Sequence, residues 1–351
     1  MSYQQTKMWI VDKGVEKETK RGHLREAGLC ISEGQVIAFP TETVYGLGAN
    51  AWDNQALARI FAAKGRPDDN PLILHIDEVE KLTSITSNIP LLAEKLISAY
   101  WPGPLTLVLP KAKEVSERVT GGLHTVAVRL PDHPVAREII RQADVPVAAP
   151  SANRSGKPSP TTARHVYEDL NGRIDGIVDG GPTGYGLEST VVDATGEIPV
   201  ILRPGGITAY DIEAVCGSVA IDPALSQQKE SDQPKSPGLK YRHYAPEAPV
   251  YIIEGTLPFI QEQINKQQYE GKKVALLTVN EHLNEVEASI PLSLGSIVNA
   301  VELGASLYAA LRTADEKGAD IIFAESFSRE GVGEALMNRL EKAASGRYIR
   351  K

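Results

Sequence analysis

The sequence has little cysteine and no long apolar run. Its two cysteines, Cys30 and Cys216, lie far apart and form no CxxC pair, so neither a disulfide framework nor a zinc site is expected. No segment approaches the ~20 apolar residues of a membrane-spanning helix. The first residues lack the charged-then-apolar order of a signal peptide. We therefore expect a soluble, cytoplasmic protein without a membrane partner.

Several standard catalytic and nucleotide motifs are also absent. The sequence contains no GxxxxGK[ST] loop, no HExxH pair and no nucleophile elbow. Residues 46–51 match G-x-G-x-x-A, but residues 40–45 separate this match from the preceding strand. The dinucleotide fingerprint requires an immediate turn from strand to helix. The pattern therefore argues against P-loop and dinucleotide chemistry.

Several predicted loops carry positive charge, although the chain as a whole is acidic. The 351 residues carry a net charge of -8, with ordinary fractions of hydrophobic (42%) and charged (23%) residues. Short Gly- and Pro-containing segments carry Lys64 and Arg66, Ser151 and Asn153, and Arg203. Guanidinium groups and small polar donors beside flexible backbone suit a polyanion. Because the whole chain is acidic, we expect a small anionic ligand rather than a nucleic-acid surface.

The order of secondary structure predicts two α/β domains. Up to about residue 215, predicted strands at 35–39, 71–76, 105–109, 125–130 and 147–149 are mixed with helices at 54–64 and 91–100. We expect a twisted, open, mixed sheet there. After residue 250, strands alternate with helices at 258–269, 297–316 and 333–344, which predicts a smaller Rossmann-like parallel sheet. The predicted domains are 1–221 and 250–351, joined by a linker at 222–249.

Each candidate residue also has a simple structural interpretation. Arg129 ends a strand where α/β enzymes place ligand-binding groups, but it could form a rim ion pair. His75 interrupts an apolar strand and could equally be a core histidine with a backbone partner. Lys64 and Arg66 could complement a helix dipole. The glycine-rich loop at 180–186 could bind an anion or be a hairpin tip. The aromatic and basic linker at 238–246 could cover a site or merely anchor the linker.

Six segments occur in the order seen in the YrdC-like family. They are 40–47 (PTETVYGL), 64–67 (KGRP), 101–106 (WPGPLT), 150–156 (PSANRSG), 187–191 (LESTV) and 203–205 (RPG). Over essentially its whole length, including 240–246 (KYRHYAP) and the C-terminal domain, the chain resembles the long, two-domain form of the threonylcarbamoyl-AMP synthase family. No main motif position departs from the family pattern.

The resemblance implies a nucleotidyltransferase. Such enzymes convert L-threonine, bicarbonate and ATP, with Mg²⁺, into threonylcarbamoyl-AMP and pyrophosphate, for N6-threonylcarbamoyladenosine at position 37 of tRNA. The transfer depends on positioning and charge stabilisation, so no covalent protein nucleophile is expected. The implied partners are the small substrates and the transferase machinery that accepts the product; contact with tRNA would be weak.

The resemblance also assigns roles to individual residues. It implies Lys64 and Arg66 as catalytic cations that face the phosphates and the carbamate. It implies an L-threonine site formed by Thr43, His75, Arg129, Ala149 and Ser189. It implies ATP contacts from Arg66, Asn70, Thr125, Ser151, Asn153, Ser159, Arg203, Tyr241 and His243, the last two in a linker that folds over the cleft. No protein ligand of the metal is assigned.

Two other classes of function stay open from the sequence. One is an RNA- or nucleotide-binding module of the YrdC type without turnover, which an acidic chain with no basic stripe disfavours. The other is a related carbamoyl-transfer enzyme, which would carry acylphosphatase and zinc-finger regions that this sequence lacks.

Overall fold

The computed structural model describes residues 5–68, 70–227 and 244–351. Contacts divide the chain into two compact units. The second unit contains the described residues from Tyr244 onward together with two short segments, Gly156–Ser159 and Tyr185–Leu187. The other described residues form the first unit. None of the described helices is long and apolar enough to span a membrane.

The first unit is built on a large mixed sheet. Its strands are β1 (Lys7–Ile10), β2 (Ile37–Phe39), β3 (Gly46–Asn50), β4 (Ile73–His75), β5 (Leu105–Pro110), β6 (Thr125–Arg129), β7 (Val147–Ala148), β8 (Gly176–Asp179), β9 (Thr190–Asp193), β10 (Val200–Arg203) and β11 (Ala220–Ile221). Within the described residues their order is β1-β8-β2-β3-β7-β4-β6-β5-β9-β10-β11. Parallel pairs such as β4–β6 and antiparallel pairs such as β5–β6 occur side by side.

Helices cover this sheet. They are α1 (Lys17–Ser32), α2 (Asn54–Lys64), α3 (Leu91–Tyr100), α4 (Glu117–Thr120), α5 (Pro134–Ala143), α6 (Ala163–Leu170), α7 (Ala209–Cys216) and α8 (Ala224–Gln227), with a 3₁₀ helix at Val79–Ser84. The ends of α2 follow from local sequence. The Asp53 side chain accepts a hydrogen bond from the Gln55 N–H, and Gly65 ends the helix at a φ of 62°.

Apolar clusters pack on both faces of the large sheet. Leu47, Leu74 and Val128 belong to a large cluster that also contains Leu57 and Ile60 of α2. Helices α1 and α5 pack closely against each other because Gly28 has no side chain; a Cβ there would lie 2.8 Å from the Ile139 carbonyl oxygen. Their apolar residues form a second cluster with strand residues such as Phe39 and Val147.

The second unit contains a five-stranded parallel sheet. Its elements are β12 (Val250–Glu254), α9 (Leu257–Tyr269), β13 (Val274–Thr278), β14 (Ile290–Ser293), α10 (Ala300–Glu316), β15 (Ile321–Glu325), α11 (Gly333–Ala344) and β16 (Tyr348–Arg350). The strand order is β14-β13-β15-β12-β16, and each neighbouring pair is parallel. This is the connectivity of an open α/β sheet. The fold class predicted from the sequence is confirmed for both parts of the chain.

Candidate active site

The candidate side chains meet on one face of the large sheet. His75 pairs with Arg129 across β4 and β6, and Arg129 pairs with Thr106 across β6 and β5. Directly paired residues share a face of the sheet, and so do residues two positions apart on one strand. These three side chains therefore lie on the same face as a small apolar cluster of Ile73, Val108, Ala127, Val191 and Leu202. Thr125 belongs to this face by the same alternation.

Arg129 is the centre of the site. Its side chain is buried, and the guanidinium group contacts three acceptors from two loops. Nη1 donates to Thr43 Oγ1 at 2.9 Å and Nε donates to the Gly103 carbonyl at 3.3 Å. Nη2 lies 2.5 Å from a carboxylate oxygen of Glu42. The loop before β3 and the loop before β5 are thereby held against the end of β6.

A chain of hydroxyl groups continues from Thr43. The Thr41 hydroxyl donates to the Val44 carbonyl at 2.7 Å. Its one proton is used there, so the Thr43 hydroxyl, 2.8 Å away, donates to Thr41. The Thr43 oxygen also accepts a hydrogen bond from Arg129. Thr43 is thus held in one orientation.

His75 is a neutral imidazole at the end of β4. Burial lowers its pKa from the ordinary 6.5 to about 3, and the adjacent Arg129 charge acts in the same direction. Nδ1 lies 3.1 Å from the Ile73 carbonyl oxygen. A carbonyl can only accept, so Nδ1 carries the proton. The site therefore has no second cation at this position near neutral pH.

Ser189 joins the strands on the other side of Arg129. Its hydroxyl lies 2.8 Å from the Thr106 hydroxyl and accepts from Arg203 Nη2 at 3.1 Å. Arg203 Nε donates to the Ser189 carbonyl at 3.1 Å. Gly205 permits this packing, because a Cβ at that position would lie 2.2 Å from the Thr190 nitrogen. Residues 203–205 therefore fix the position of Ser189 through the hydrogen bonds of Arg203 and the close packing of Gly205.

Lys64 binds the loop that contains Ser151 and Asn153. Its ammonium group donates to the Ser151 carbonyl at 2.5 Å, to the Asn153 carbonyl at 2.8 Å and to Asn153 Oδ1 at 3.4 Å. Burial lowers the pKa of Lys64 well below its ordinary value, and the nearby Arg66 charge lowers it further. The cation is thus committed to protein carbonyl groups, and it joins α2 to the loop after β7.

Arg66 and Asn70 form a turn before β4. Arg66 Nη2 donates to the Asn70 and Pro71 carbonyls, both at 3.1 Å. Among the described residues, neither the amide nitrogen nor the amide oxygen of the buried Asn70 side chain has a hydrogen-bond partner. A buried polar group without a partner carries a free-energy cost, so this amide is available to a ligand.

Comparisons with known proteins identify the family. A family model described as "Telomere recombination" matches residues 30–205, and one described as "Threonylcarbamoyl-AMP synthase, C-terminal domain" matches residues 207–345. The threonylcarbamoyl-AMP synthase of Bacillus subtilis (strain 168) is 52% identical over 346 residues, which cover 98% of this chain and 99% of the relative. The chain belongs to the threonylcarbamoyl-AMP synthase family.

Other members of the family support the assignment over the whole length. The enzyme of the same name from Pyrococcus abyssi is 49% identical over 96% of this chain and 98% of the relative. A solved structure of P. abyssi Sua5 complexed with L-threonine has a TM-score of 0.92 and 48% identity, and the match covers 99% of this chain and 100% of that chain. The family predicted from six sequence segments, in its two-domain form, is confirmed.

The remaining predicted site residues lie in several places. The Ala149 N–H donates to the Ile73 carbonyl at 2.9 Å, beside β4. Ser151 Oγ donates to Asn153 Oδ1 at 2.5 Å. Ser159 is buried, and its contacts group it with the second unit. The linker residues Tyr241 and His243 lie outside the described residues.

Three residues near Arg129 and Ser189 were not singled out from the sequence. They are Glu42, Thr106 and Gly205, and all three belong to the segments that carry the resemblance. Glu42 and Thr106 each contact a predicted threonine-site residue directly. Their position within the segments that resemble the family could therefore have pointed to them. Charge and spacing alone did not distinguish these residues from their neighbours.

Proposed function

We propose that this chain is an L-threonylcarbamoyladenylate synthase that uses L-threonine, bicarbonate and ATP and releases pyrophosphate. The observation that carries the proposal is the buried Arg129 guanidinium, which is held beside hydroxyl groups and a neutral histidine in a member of this family. The related P. abyssi structure is described as complexed with L-threonine. The product would serve N6-threonylcarbamoyladenosine formation at position 37 of tRNA.

The amino-acid part of the proposed site lies around Arg129. Its guanidinium group can pair with the threonine α-carboxylate by two parallel hydrogen bonds, the geometry in which arginine binds carboxylates most strongly. Thr43, His75 and Ser189 offer neutral polar groups for the substrate hydroxyl and amine. Ala149, which hydrogen-bonds to β4 through its backbone N–H, completes the proposed threonine set.

The nucleotide part is assigned to the cationic turns. We propose Lys64 and Arg66 beside the phosphates and the carbamate, with Arg66 also on ATP. Asn70, Thr125, Ser151, Asn153, Ser159 and Arg203 are the further proposed ATP contacts, together with Tyr241 and His243 of the linker. The Asn70 amide, which lacks a partner among the described residues, supports its place in this set.

Mg²⁺ would enter as part of MgATP. The described residues contain no group of three or more histidine, cysteine, aspartate or glutamate side chains arranged to hold a metal. Magnesium in such reactions commonly keeps several waters and binds the substrate phosphates. We therefore propose that ATP oxygens and water supply its coordination.

The chemistry requires positioning rather than a covalent protein intermediate. The threonine amine forms an N–C bond to CO₂ and loses a proton, or to bicarbonate with loss of water, and the product is a carbamate. A carbamate oxygen then attacks the α-phosphorus of ATP, a new P–O bond forms, and the bond to pyrophosphate breaks. The protein's contribution is to align the two anions and offset their charge, a role that we assign to Arg66 and Arg203.

Downstream partners follow from the product. A mixed anhydride of carbamate and phosphate hydrolyses readily, so a transferase that places the threonylcarbamoyl group on tRNA must receive it soon after release. We propose that this machinery is the partner, and that any direct contact with tRNA is weak because the chain is acidic.

The reaction is tested by mass spectrometry. Purified chain is incubated with ATP, Mg²⁺ and bicarbonate, with and without L-threonine. Threonine-dependent pyrophosphate together with a threonylcarbamoyl-adenylate peak is expected. Pyrophosphate without a need for threonine would indicate another acceptor. Binding of ATP without turnover would favour a nucleotide-binding module, and product release onto a carbamoyl acceptor would favour the related transfer enzyme.

Arg66→Ala tests the proposed catalytic cation. We expect pyrophosphate release to fall by a factor of roughly 100 or more, because one charge-stabilising donor is typically worth that much in the transition state. Arg164→Ala is the matched control, since Arg164 is exposed on α6 and pairs with Glu168. Normal turnover by the Arg66 variant would remove Arg66 from the chemistry.

A further inference from the structure

Glu42 is a buried carboxylate with an unusual environment. Only 9% of the residue is exposed, and neither carboxylate oxygen has a hydrogen-bond partner among the described residues. Oε1 lies 2.5 Å from Arg129 Nη2, but the pair lacks the angles of a hydrogen bond. The interaction is therefore an ion pair whose main contribution is charge. A buried carboxylate with so few donors needs a reason to be there.

Glu42 is not needed to hold the Arg129 side chain in place. Thr43 Oγ1 and the Gly103 carbonyl already accept hydrogen bonds from two other nitrogens of the guanidinium group. These acceptors are neutral and come from loops on two sides. They orient the guanidinium group but leave its charge uncompensated. The specific contribution of Glu42 is thus the negative charge.

The histidines beside this pair do not change the balance. Burial lowers the pKa of His75 to about 3 and also lowers the pKa of His133, which faces Glu42. Both rings are therefore neutral near pH 7. Arg203, on the far side of Ser189, belongs to the proposed phosphate contacts. Arg129 and Glu42 are in direct contact and contribute one positive and one negative charge, and Lys20 and Asp132, which also act on His133, add one of each sign.

The opposite charges of Arg129 and Glu42 affect whether the site binds a zwitterion or a simple carboxylate. This inference rests on the proposed function. An uncompensated arginine attracts any carboxylate and repels a substrate ammonium group a few ångströms away. With Glu42 beside it, the pair is neutral overall and suits a zwitterion. We propose that Glu42 is a positioning and specificity-determining residue that acts through Arg129, so that the site selects an α-amino acid over the corresponding hydroxy acid.

The test compares two ligands that differ in one group. L-threonine and its hydroxy-acid analogue, in which a hydroxyl replaces the amine, are titrated calorimetrically into the full chain and into Glu42→Gln. Glutamine keeps the shape of glutamate and removes its charge. Glu42→Met is a second neutral variant of similar length in case the first does not fold. Glu325→Gln is the matched control, because Glu325 is equally buried but lies in the second unit.

We expect Glu42→Gln to bind the hydroxy acid more tightly relative to threonine, so that the preference for threonine falls about 10-fold or more.

Each of the following outcomes would overturn the inference. If Glu42→Gln weakens both ligands by one factor, Glu42 has only a structural role. If Glu325→Gln changes the ratio as much, the effect is not specific to this site. If the unmodified chain binds no threonine and makes no threonylcarbamoyl-AMP, the proposed function fails and the inference with it. Turnover by the unmodified chain with an unchanged ratio in the variant refutes the inference alone.

Discussion

Arg129→Lys is the substitution that most directly tests the proposed threonine site. Lysine preserves the positive charge beside Glu42 but replaces a planar fork by a single ammonium group. The guanidinium group contacts three acceptors at 2.5, 2.9 and 3.3 Å, in three directions. One ammonium group on a differently shaped side chain cannot reproduce this geometry and also present two parallel donors to a ligand carboxylate.

The size of the effect follows from what is lost. A hydrogen bond to a charged group contributes about 1.5–3 kcal/mol, so losing one of the two bonds to the threonine carboxylate should weaken binding roughly 10- to 150-fold. The retained charge keeps Glu42 paired, so the stability loss should stay near 1–3 kcal/mol, the approximate cost of acceptors left without donors. Complete loss of the charge would cost about 3–5 kcal/mol.

The assay is threonine binding by calorimetry, with thermal unfolding measured on the same samples. Arg339→Lys is the control. Arg339 is wholly buried in the second unit, where Nη1 donates to Asn338 at 2.9 Å and the guanidinium lies 5.8 Å from the ring centre of Tyr244. It should lower stability and leave threonine affinity unchanged. Equal affinities for Arg129→Lys and the unmodified chain would refute the assignment of Arg129 to the substrate carboxylate.

Two further predictions concern stability and backbone packing. The pKa of His75 is lowered from 6.5 to about 3, so between these values the unfolded chain binds a proton that the folded chain does not, and stability falls as pH falls. At pH 5 the loss of unfolding free energy is about 2 kcal/mol. His75→Asn should remove this loss, as measured by urea titrations at pH 7 and pH 5. An unchanged pH dependence in the variant would contradict the assignment to His75. Gly205→Ala would place a Cβ 2.5 Å from the Ser189 carbonyl carbon, so we expect weaker threonine binding and a lower unfolding temperature. Gly22→Ala, where a Cβ meets nothing within 4 Å, is the control and should stabilise α1 by about 0.5–1 kcal/mol; equal effects of the two would contradict a steric cause.

Local signals explain which elements could be predicted. Helix α2 begins and ends at the residues that the sequence predicts, because apolar periodicity agrees with a capping Asp53 and a terminating Gly65. Helix α1 was not predicted from the sequence. Its buried residues are few (Leu24, Ala27, Gly28 and Ile31) in a strongly charged stretch. It is stabilised chiefly by packing against α5, a contact that no local pattern encodes.

The candidate site was also only partly predictable from the sequence. The motif segments predicted which loops would carry its residues. They did not predict that His75, Arg129 and Thr106 share one sheet face, because that depends on the register of strands that are distant in sequence. A shift by one residue would turn each side chain to the opposite face. Glu42 was missed for a related reason: its significance lies in the contact with Arg129, not in its own sequence neighbours.

Lys64 shows why a motif can identify a family and still leave a residue's role open. A lysine beside glycine and arginine at the end of a helix predicts a phosphate contact. In the structure its three N–H groups have three acceptors, Ser151 O, Asn153 O and Asn153 Oδ1. To bind a phosphate directly, Lys64 would have to release one of them, and burial already disfavours its charged form. In this structure Lys64 supports the 151–153 loop, and Arg66, which is less buried, is the more accessible of the two proposed phosphate-binding cations.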